Sequence, residues 1–187
     1  MIYAISEDNF FTIGLLSTLY AVNIEVKHIN ICDFHNIIVN NDDIILLCTH
    51  SLIHNRILNQ IVDNTISRVI YFVDADIYKH NFTLHCRGVI SKKLAQHELI
   101  NFLNILLNNE RSITSISLSK SEVRIMNMLA QEKDAHMIGR LLKISAKTVF
   151  THKLNALHKM GFHHLNSRGV LLYESIFQTR VSRSSSR

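Results

Sequence analysis

The sequence predicts two unlike parts: an α/β unit built on a parallel sheet, followed by an all-helical unit. Three observations predict this. Strand-like and helix-like stretches alternate through the first half, helical periodicity alone runs through the second, and the charge divides with them. From residue 118 onward there are 12 Lys/Arg against 4 Asp/Glu, a balance of +8, whereas residues 1–117 hold 8 against 11, a balance of −3. A basic segment joined to a mildly acidic one is the footprint of a polyanion-binding module attached to something else.

Taken in order, residues 1–6 read as a strand. Residues 10–20 place apolar side chains at helical spacing, and 24–29 return to strand character. Residues 43–49 are an apolar run behind Asp42 and Asp43, which suits a strand buried on both faces. Residues 52–63 are amphipathic and helical, 68–73 form a strand, 88–91 a short strand and 94–107 a helix. Such alternation implies a parallel sheet covered on both sides, the α/β class. Residues 32–39 and 76–84 are left unassigned.

Apolar periodicity stops at Leu107, and the polar run Asn108-Asn109-Glu110-Arg111-Ser112 follows. Residues 108–117 are therefore read as a linker between a domain at 1–107 and one at 118–180. A Ser/Arg-rich tail, 181–187, is expected to be disordered. Ser119-Lys120-Ser121-Glu122 fits a capping box that opens a helix running to about Gln131. Asp134 is placed to cap a short helix ending near Leu142, and Ser145 a third through Met160, with Gly161 positioned to stop it. Asn166 is placed to cap a fourth helix reaching about Thr179.

The totals exclude several classes. With 47% hydrophobic and 19% charged residues among 187, the chain can bury real cores. Proline is absent and glycine numbers five, so Asn, Asp and Ser must make the turns. No apolar run approaches the ~20 residues of a spanning helix. Glu7 and Asp8 stand where a secretory leader carries positive charge. A cytoplasmic, nucleoid-associated protein away from the membrane is expected. Cys32, Cys48 and Cys86 have no paired spacing and suit reduced thiols. Twelve histidines include no HExxH, and there is no glycine-rich phosphate loop or nucleophile elbow. No metal, cofactor or enzymatic activity is expected.

The informative stretch is Ile138-Gly139-Arg140-Leu141-Leu142-Lys143-Ile144-Ser145-Ala146-Lys147-Thr148-Val149: a short helix, a tight turn and a longer basic helix. Small Gly139 permits close helix approach. Ile138, Leu142, Ile144 and Val149 form an apolar seam, which Met126, Leu129, Ala156, Leu157 and Met160 complete as a core. One helix is thereby projected outward, with a width that fits a major groove.

Residues 118–162 resemble the LuxR-type helix-turn-helix. The family's opening Leu-Thr-x-x-Glu appears as Leu118-Ser119-Lys120-Ser121-Glu122, and its Ile-Ala-x-x-Leu-x-Ile-Ser as Ile138 through Ser145. Its Thr-Val-x-x-His-x-x-Asn appears as Thr148-Val149-Phe150-Thr151-His152-Lys153-Leu154-Asn155, and its Lys-Leu-Gly as Lys159-Met160-Gly161. Glu132 stands where the family usually has glycine, and Met137 where it usually has Glu or Lys. The resemblance implies a four-helix unit with a recognition helix over 146–160. Phe150, Thr151 and Leu154 would lie where base edges are read, with Lys147, Asn155 and His158 nearby. Thr148, His152, Lys153 and Lys159 would be phosphate anchors, His152 alternatively a half-buried packing histidine. Phe150 and Leu154 cannot hydrogen-bond, so they would read thymine methyls or exclude water, which points to A·T-rich sites.

Residues 1–107 resemble the receiver domain of response regulators, which implies a doubly wound parallel sheet with an acidic site at the strand ends. Its acidic pair is matched by Glu7-Asp8 and its lysine by Lys92. In Asp43-Ile44-Ile45-Leu46-Leu47-Cys48, Cys48 stands where the phosphorylated Asp belongs, and Val73 or Asp74 replaces the Thr/Ser. A cysteine cannot form an acyl phosphate, so no aspartate phosphorylation is expected; Glu7 and Asp8 are either relics or caps of the following helix. This half is then left to dimerisation or partner contact; most of the apolar stripe Leu94, Leu99, Phe102, Leu103 and Leu106 is expected to pack on the sheet, with any surplus facing a partner. The last helix, with Val170, Leu171, Tyr173, Ile176 and Phe177, is another dimer candidate. The whole plan resembles the short LuxR-type regulators of enteric bacteria. It implies a sequence-specific regulator that binds the major groove of double-stranded DNA. A homodimer, or a heterodimer with another regulator, would bind there, and RNA polymerase is a further contact. The alternative is a co-regulator that works through a partner regulator or RNA polymerase and touches DNA little.

Overall fold

The computed structural model describes residues 1–36, 38–40, 42–48, 68–74, 82–83, 87–108, 118–162 and 165–177. The helix expected at 52–63, most of the 108–117 linker and the 181–187 tail lie outside the described residues.

In the first half the apolar runs become strands. They are β1 (Ile2–Ser6), β2 (Val26–Ile29), β3 (Ile44–Cys48), β4 (Arg68–Val73), β5 (Phe82–Thr83) and β6 (Arg87–Ser91). Of these, β1, β3 and the centre of β4 are buried on both faces, while Lys27 and His28 in the middle of β2 are exposed. They form one sheet in the order β2-β1-β3-β4-β6-β5, parallel except for the β5–β6 pair. The parallel part has the doubly wound order in which the chain reverses direction between β1 and β3. Ile2 is opposite both Val26 and Ile44, and Ser6 is opposite Cys48, which brings the C-terminal ends of β1 and β3 together.

The period-2 alternation sorts side chains to two faces. Ile2, Ala4, Ile44, Leu46, Cys48, Ile70, Phe72 and Ile90 share one core with α1 (Asn9–Tyr20) and α2 (Gln96–Leu107), which contribute Leu15, Leu19, Leu99, Phe102, Leu103 and Leu106. On the opposite face Tyr3, Ile5, Ile45, Leu47, Val69, Tyr71 and Val89 are also buried. At roughly 1.5–3 kcal/mol for each large aliphatic side chain, this double burial explains why the strands read as continuous apolar runs. The expected stripe packs on the sheet, with half-buried Leu94, ahead of α2, against the same core.

Local differences have local causes. Helix α2 starts at Gln96 rather than at 94, because Ala95 is extended and its N–H donates to the Glu98 carboxylate at 3.1 Å. Strand β6 begins at Arg87, which pairs with Val69. Strand β5 is only two residues long, too short to show a period, and a 3-10 turn occupies Ile31–Asn36.

The second half contains α3 (Lys120–Ala130), α4 (Ala135–Leu142), α5 (Ala146–Lys159) and α6 (Asn166–Phe177). The expected caps form. Ser119 Oγ accepts from the Glu122 N–H at 3.2 Å while the Glu122 carboxylate accepts from the Ser119 N–H at 2.7 Å. Asp134 accepts from the Met137 N–H at 2.8 Å, and Ser145 from the Thr148 N–H at 3.0 Å. Asn166 is the first residue of α6, one position inside the cap that the sequence suggests.

Three of these helices end on a residue in the left-handed region: Glu132 (φ 60°), Lys143 (φ 55°) and Gly161 (φ 79°). In each case an N–H reaches back to close the turn. Lys133 donates to Met128, Ile144 to Gly139 and Phe162 to Leu157 at 3.2, 2.9 and 2.8 Å.

Ile125, Ile138 and Val149 are fully buried together, with Leu129, Leu142 and Ile144 against them. Met126, Ala156, Leu157, Met160, Phe162, Val170, Tyr173 and Ile176 are buried as well. Helix α6 is therefore part of this core, not a free dimer surface, although Leu171 on it is exposed.

Candidate nucleic-acid interface

The turn between α4 and α5 is held by backbone geometry. A Cβ on Gly139 would lie 2.7 Å from the Ile144 carbonyl oxygen, closer than any side chain tolerates. What approaches Gly139 is thus the backbone of the turn itself. Lys143 then turns left-handed and Ser145 caps α5, fixing the direction in which α5 leaves.

Helix α5 presents two opposite faces. Val149, Ala156 and Leu157 are buried, while Lys147, Phe150, Thr151, Leu154, Asn155 and His158 are all exposed. The exposed set falls at i, i+3, i+4, i+7, i+8 and i+11, a single stripe about 16 Å long at 1.5 Å per residue. Phe150, at 52% exposure, and Leu154 put apolar surface in the middle of the stripe, with Lys147 and His158 towards its ends. The sequence-expected base-reading and neighbouring residues therefore share one face.

The expected phosphate anchors divide. Thr148, His152 and Lys153 are half-buried along the flank of the stripe. The Thr148 hydroxyl lies 2.8 Å from Ser145 Oγ, and the Thr151 hydroxyl donates to the Lys147 carbonyl at 3.0 Å. Lys159 donates to Glu122 Oε2 at 2.8 Å, tying the end of α5 to the start of α3. Burial pushes the Glu122 carboxyl up, but the Lys159 ammonium and the Ser119 N–H and hydroxyl outweigh it and hold the group below its ordinary value. Sequence reasoning assigned Glu122 to the cap alone; its second partner is 37 residues away and left no local signal. Tyr173 is another residue that it missed in this role: its hydroxyl donates to Asn127 at 2.7 Å, and burial pushes its pKa up to about 12.

The second candidate lies at the C-terminal ends of β1, β3 and β6. Asp8 accepts from the Phe11 N–H at 3.0 Å, so it caps α1, and its other oxygen accepts from Lys92 Nζ at 3.1 Å. Lys92 also sits 5.2 Å above the Phe11 ring. Cys48 is buried beside them, and burial pushes its thiol up against the opposing pull of Ser6 and Lys92. A protonated buried thiol is a poor nucleophile and no metal ligand. Val73 is half-buried and Asp74 exposed at the end of β4. No group of three or more His, Cys, Asp or Glu among the described residues is arranged to hold a metal ion. None of their helices is long and apolar enough to cross a membrane.

Residues 116–168 match the family described as bacterial regulatory proteins, luxR family. No curated protein matches the chain. Similar solved structures include RcsB, as two dimers bound to two parallel DNAs, at 13% identity and TM-score 0.49, covering 95% of this chain and 98% of that one. A complex of the response regulator RcsB with DNA aligns at 15% identity and TM-score 0.46, covering 95% and 98%. Full-length FixJ from B. japonicum aligns at 15% and 0.40, covering 94% and 96%.

Proposed function

We propose that this chain, which carries a helix-turn-helix domain of the luxR family at residues 116–168, is a sequence-specific DNA-binding transcription regulator. The observation that carries the reading is the exposed stripe of α5. A capped helix is anchored by a buried apolar seam and turns Lys147, Phe150, Thr151, Leu154, Asn155 and His158 outward together. Such a stripe matches the width of a major groove and offers base-edge partners in its middle. Lys147, Thr148, His152 and Lys153 are positioned to serve the flanking phosphates, with Lys143 adding a cation beside the start of α5. Lys159, the remaining expected anchor, is exposed and also ion-paired to Glu122.

In this reading the chain divides at about 1–107 and 118–180, with a linker between, and works on DNA as a dimer on a two-fold site. The Asp8–Lys92 pair and buried Cys48 support a first domain that is not switched by aspartate phosphorylation. A second regulator and RNA polymerase are further partners under the same proposal. The chain would then be a regulator without enzymatic activity, placed where the chromosome is.

The test is selection of random-sequence duplexes by the purified protein at two salt concentrations, beside a Lys147→Ala/Thr151→Ala control. A two-fold motif that the control loses is the expected result. Salt-sensitive binding with no motif would refute sequence-specific reading.

A further inference from the structure

We propose that the outer face of α1 is the surface through which two copies of this chain associate about a two-fold axis. The proposal rests on the dimeric DNA-binding reading and names its interface.

Helix α1 carries no charged residue along its 12 positions, although one side of it faces water. That side consists of Phe10 at 91% exposure, Ile13 at 64% and Tyr20 at 54%, with Gly14 and Ser17 between them. A surface helix ordinarily sets charges on its outer face. Here the outer face is as apolar as the inner one, where Leu15 and Leu19 pack on the sheet. A large, nearly naked phenylalanine beside an isoleucine and a tyrosine marks an interaction surface rather than a solvated one.

The occupant follows from the order of residues along the stripe. In an isologous interface each residue meets its symmetry mate's counterpart. If two α1 helices cross antiparallel about an axis near Leu15, Phe10 lies beside the partner's Tyr20, and Ile13 lies beside the partner's Ser17. The stripe is thus large at both ends and small in the middle, so it complements itself. A Cβ built on Gly14 meets nothing within 4 Å, so the centre is open for close backbone approach. The Tyr20 hydroxyl donates to the Val26 carbonyl at 2.9 Å, which fixes the ring before any partner arrives. With no charge on the face, self-association brings no like charges together.

The area sets the strength. An aromatic side chain covers roughly 150–250 Å² when buried. With Ile13 and the backbone around Gly14, the face supplies roughly 400–600 Å² per copy, below the ~800 Å² of a standard stable interface. The dimer is therefore weak in free solution and is completed when both copies hold one DNA site.

Sedimentation velocity of the full chain without DNA, from low to high micromolar, tests this. A reversible monomer–dimer equilibrium is expected. Ile13→Lys and Phe10→Glu should each shift it to monomer with unchanged circular dichroism, while Ile105→Lys on α2 leaves it in place. A wild-type chain that stays monomeric throughout, or a dimer that survives both α1 variants, overturns the proposal. The same proteins are also titrated onto a duplex with one selected half-site. Equal half-site binding by wild type and the α1 variants keeps the DNA reading intact whatever sedimentation shows. Failure of the wild type to bind any half-site would sink the DNA reading alone, because the sedimentation result still decides the α1 face.

Discussion

Lys159 is open to two roles, and its contact with Glu122 makes them separable by experiment. The family resemblance places this lysine among phosphate anchors, whereas the structure sets its ammonium 2.8 Å from a carboxylate that is 5% exposed. Removing one partner of a fully buried ion pair costs about 3–5 kcal/mol. Here the lysine is itself partly in water, which screens the pair, so Lys159→Met should cost about 1–2 kcal/mol. Glu122→Ala also strips the Ser119 N–H of its acceptor, adding about 1 kcal/mol for a total of about 2–3. The pair also has an acid limit. Glu122 is held below its ordinary value in the folded chain, so its contribution is fully present above the unfolded carboxylate pKa. It is lost as pH falls through the lower folded value. Urea unfolding followed by far-ultraviolet circular dichroism measures the stability loss, at neutral and acid pH. The second measurement is DNA affinity against salt. Lys147→Ala should flatten the log–log slope by about 0.9, the release of one counterion. Lys159→Met should leave the slope unchanged while lowering stability. If Lys159→Met instead flattens the slope and leaves unfolding untouched, the lysine is a phosphate anchor and the argument from Glu122 is refuted.

Three further outcomes are expected. Glu132→Gly should raise stability by about 1 kcal/mol, since a non-glycine residue in the left-handed region carries about that penalty and Glu132 has φ 60°; an unchanged or lower unfolding midpoint would count against it. Gly139→Ala should destabilise by about 1–3 kcal/mol, because the new Cβ meets the Ile144 carbonyl at 2.7 Å; an unchanged unfolding midpoint would show that the turn backbone gives way to a methyl group. Under the proposed reading, incubation with a small acyl-phosphate donor should leave the intact mass unchanged, since Cys48 stands where the receiver resemblance expects the acceptor; a stable gain of one phosphoryl group would revive a phosphorylation switch.

The sequence made the helical half more legible than the sheet half, for a physical reason. Helix caps act within three residues, so Ser119, Asp134 and Ser145 could be read from spacing alone. The exposed stripe of α5 was legible because helical periodicity converts directly into a face. Phe162, fully buried, was not, because it follows the last helical position and its burial depends on chain reversal at Gly161. In the sheet half, β1, β3 and β4 were visible as apolar runs because both of their faces are covered. Strand β5 lacked the length for any pattern, and α1 misled in a different way. Its apolar residues are readable as helix, but no single sequence separates those that pack inward, Leu15 and Leu19, from those left outside, Phe10 and Ile13. Long-range partners such as Lys159 with Glu122 follow from tertiary geometry alone.

Glu132 shows how a departure from a family pattern is to be weighed. The expected glycine at that position is a statement about φ, not about a side chain. The chain keeps the left-handed turn, with Glu132 donating to Leu129 and Lys133 to Met128, and accepts the steric penalty of a Cβ there. Cys48 is the opposite case. If the receiver resemblance holds, the departure there removes a functional group for which no backbone geometry can substitute, because acyl-phosphate chemistry needs a carboxylate oxygen. Yet Asp8 and Lys92 retain a purpose without it. Asp8 caps α1 with one oxygen and holds Lys92 with the other, so the pair ties the start of α1 to the loop after β6. An acid and a lysine at the ends of parallel strands are therefore compatible with pure scaffolding. The same contact fixes the start of the helix whose outer face carries Phe10 and Ile13.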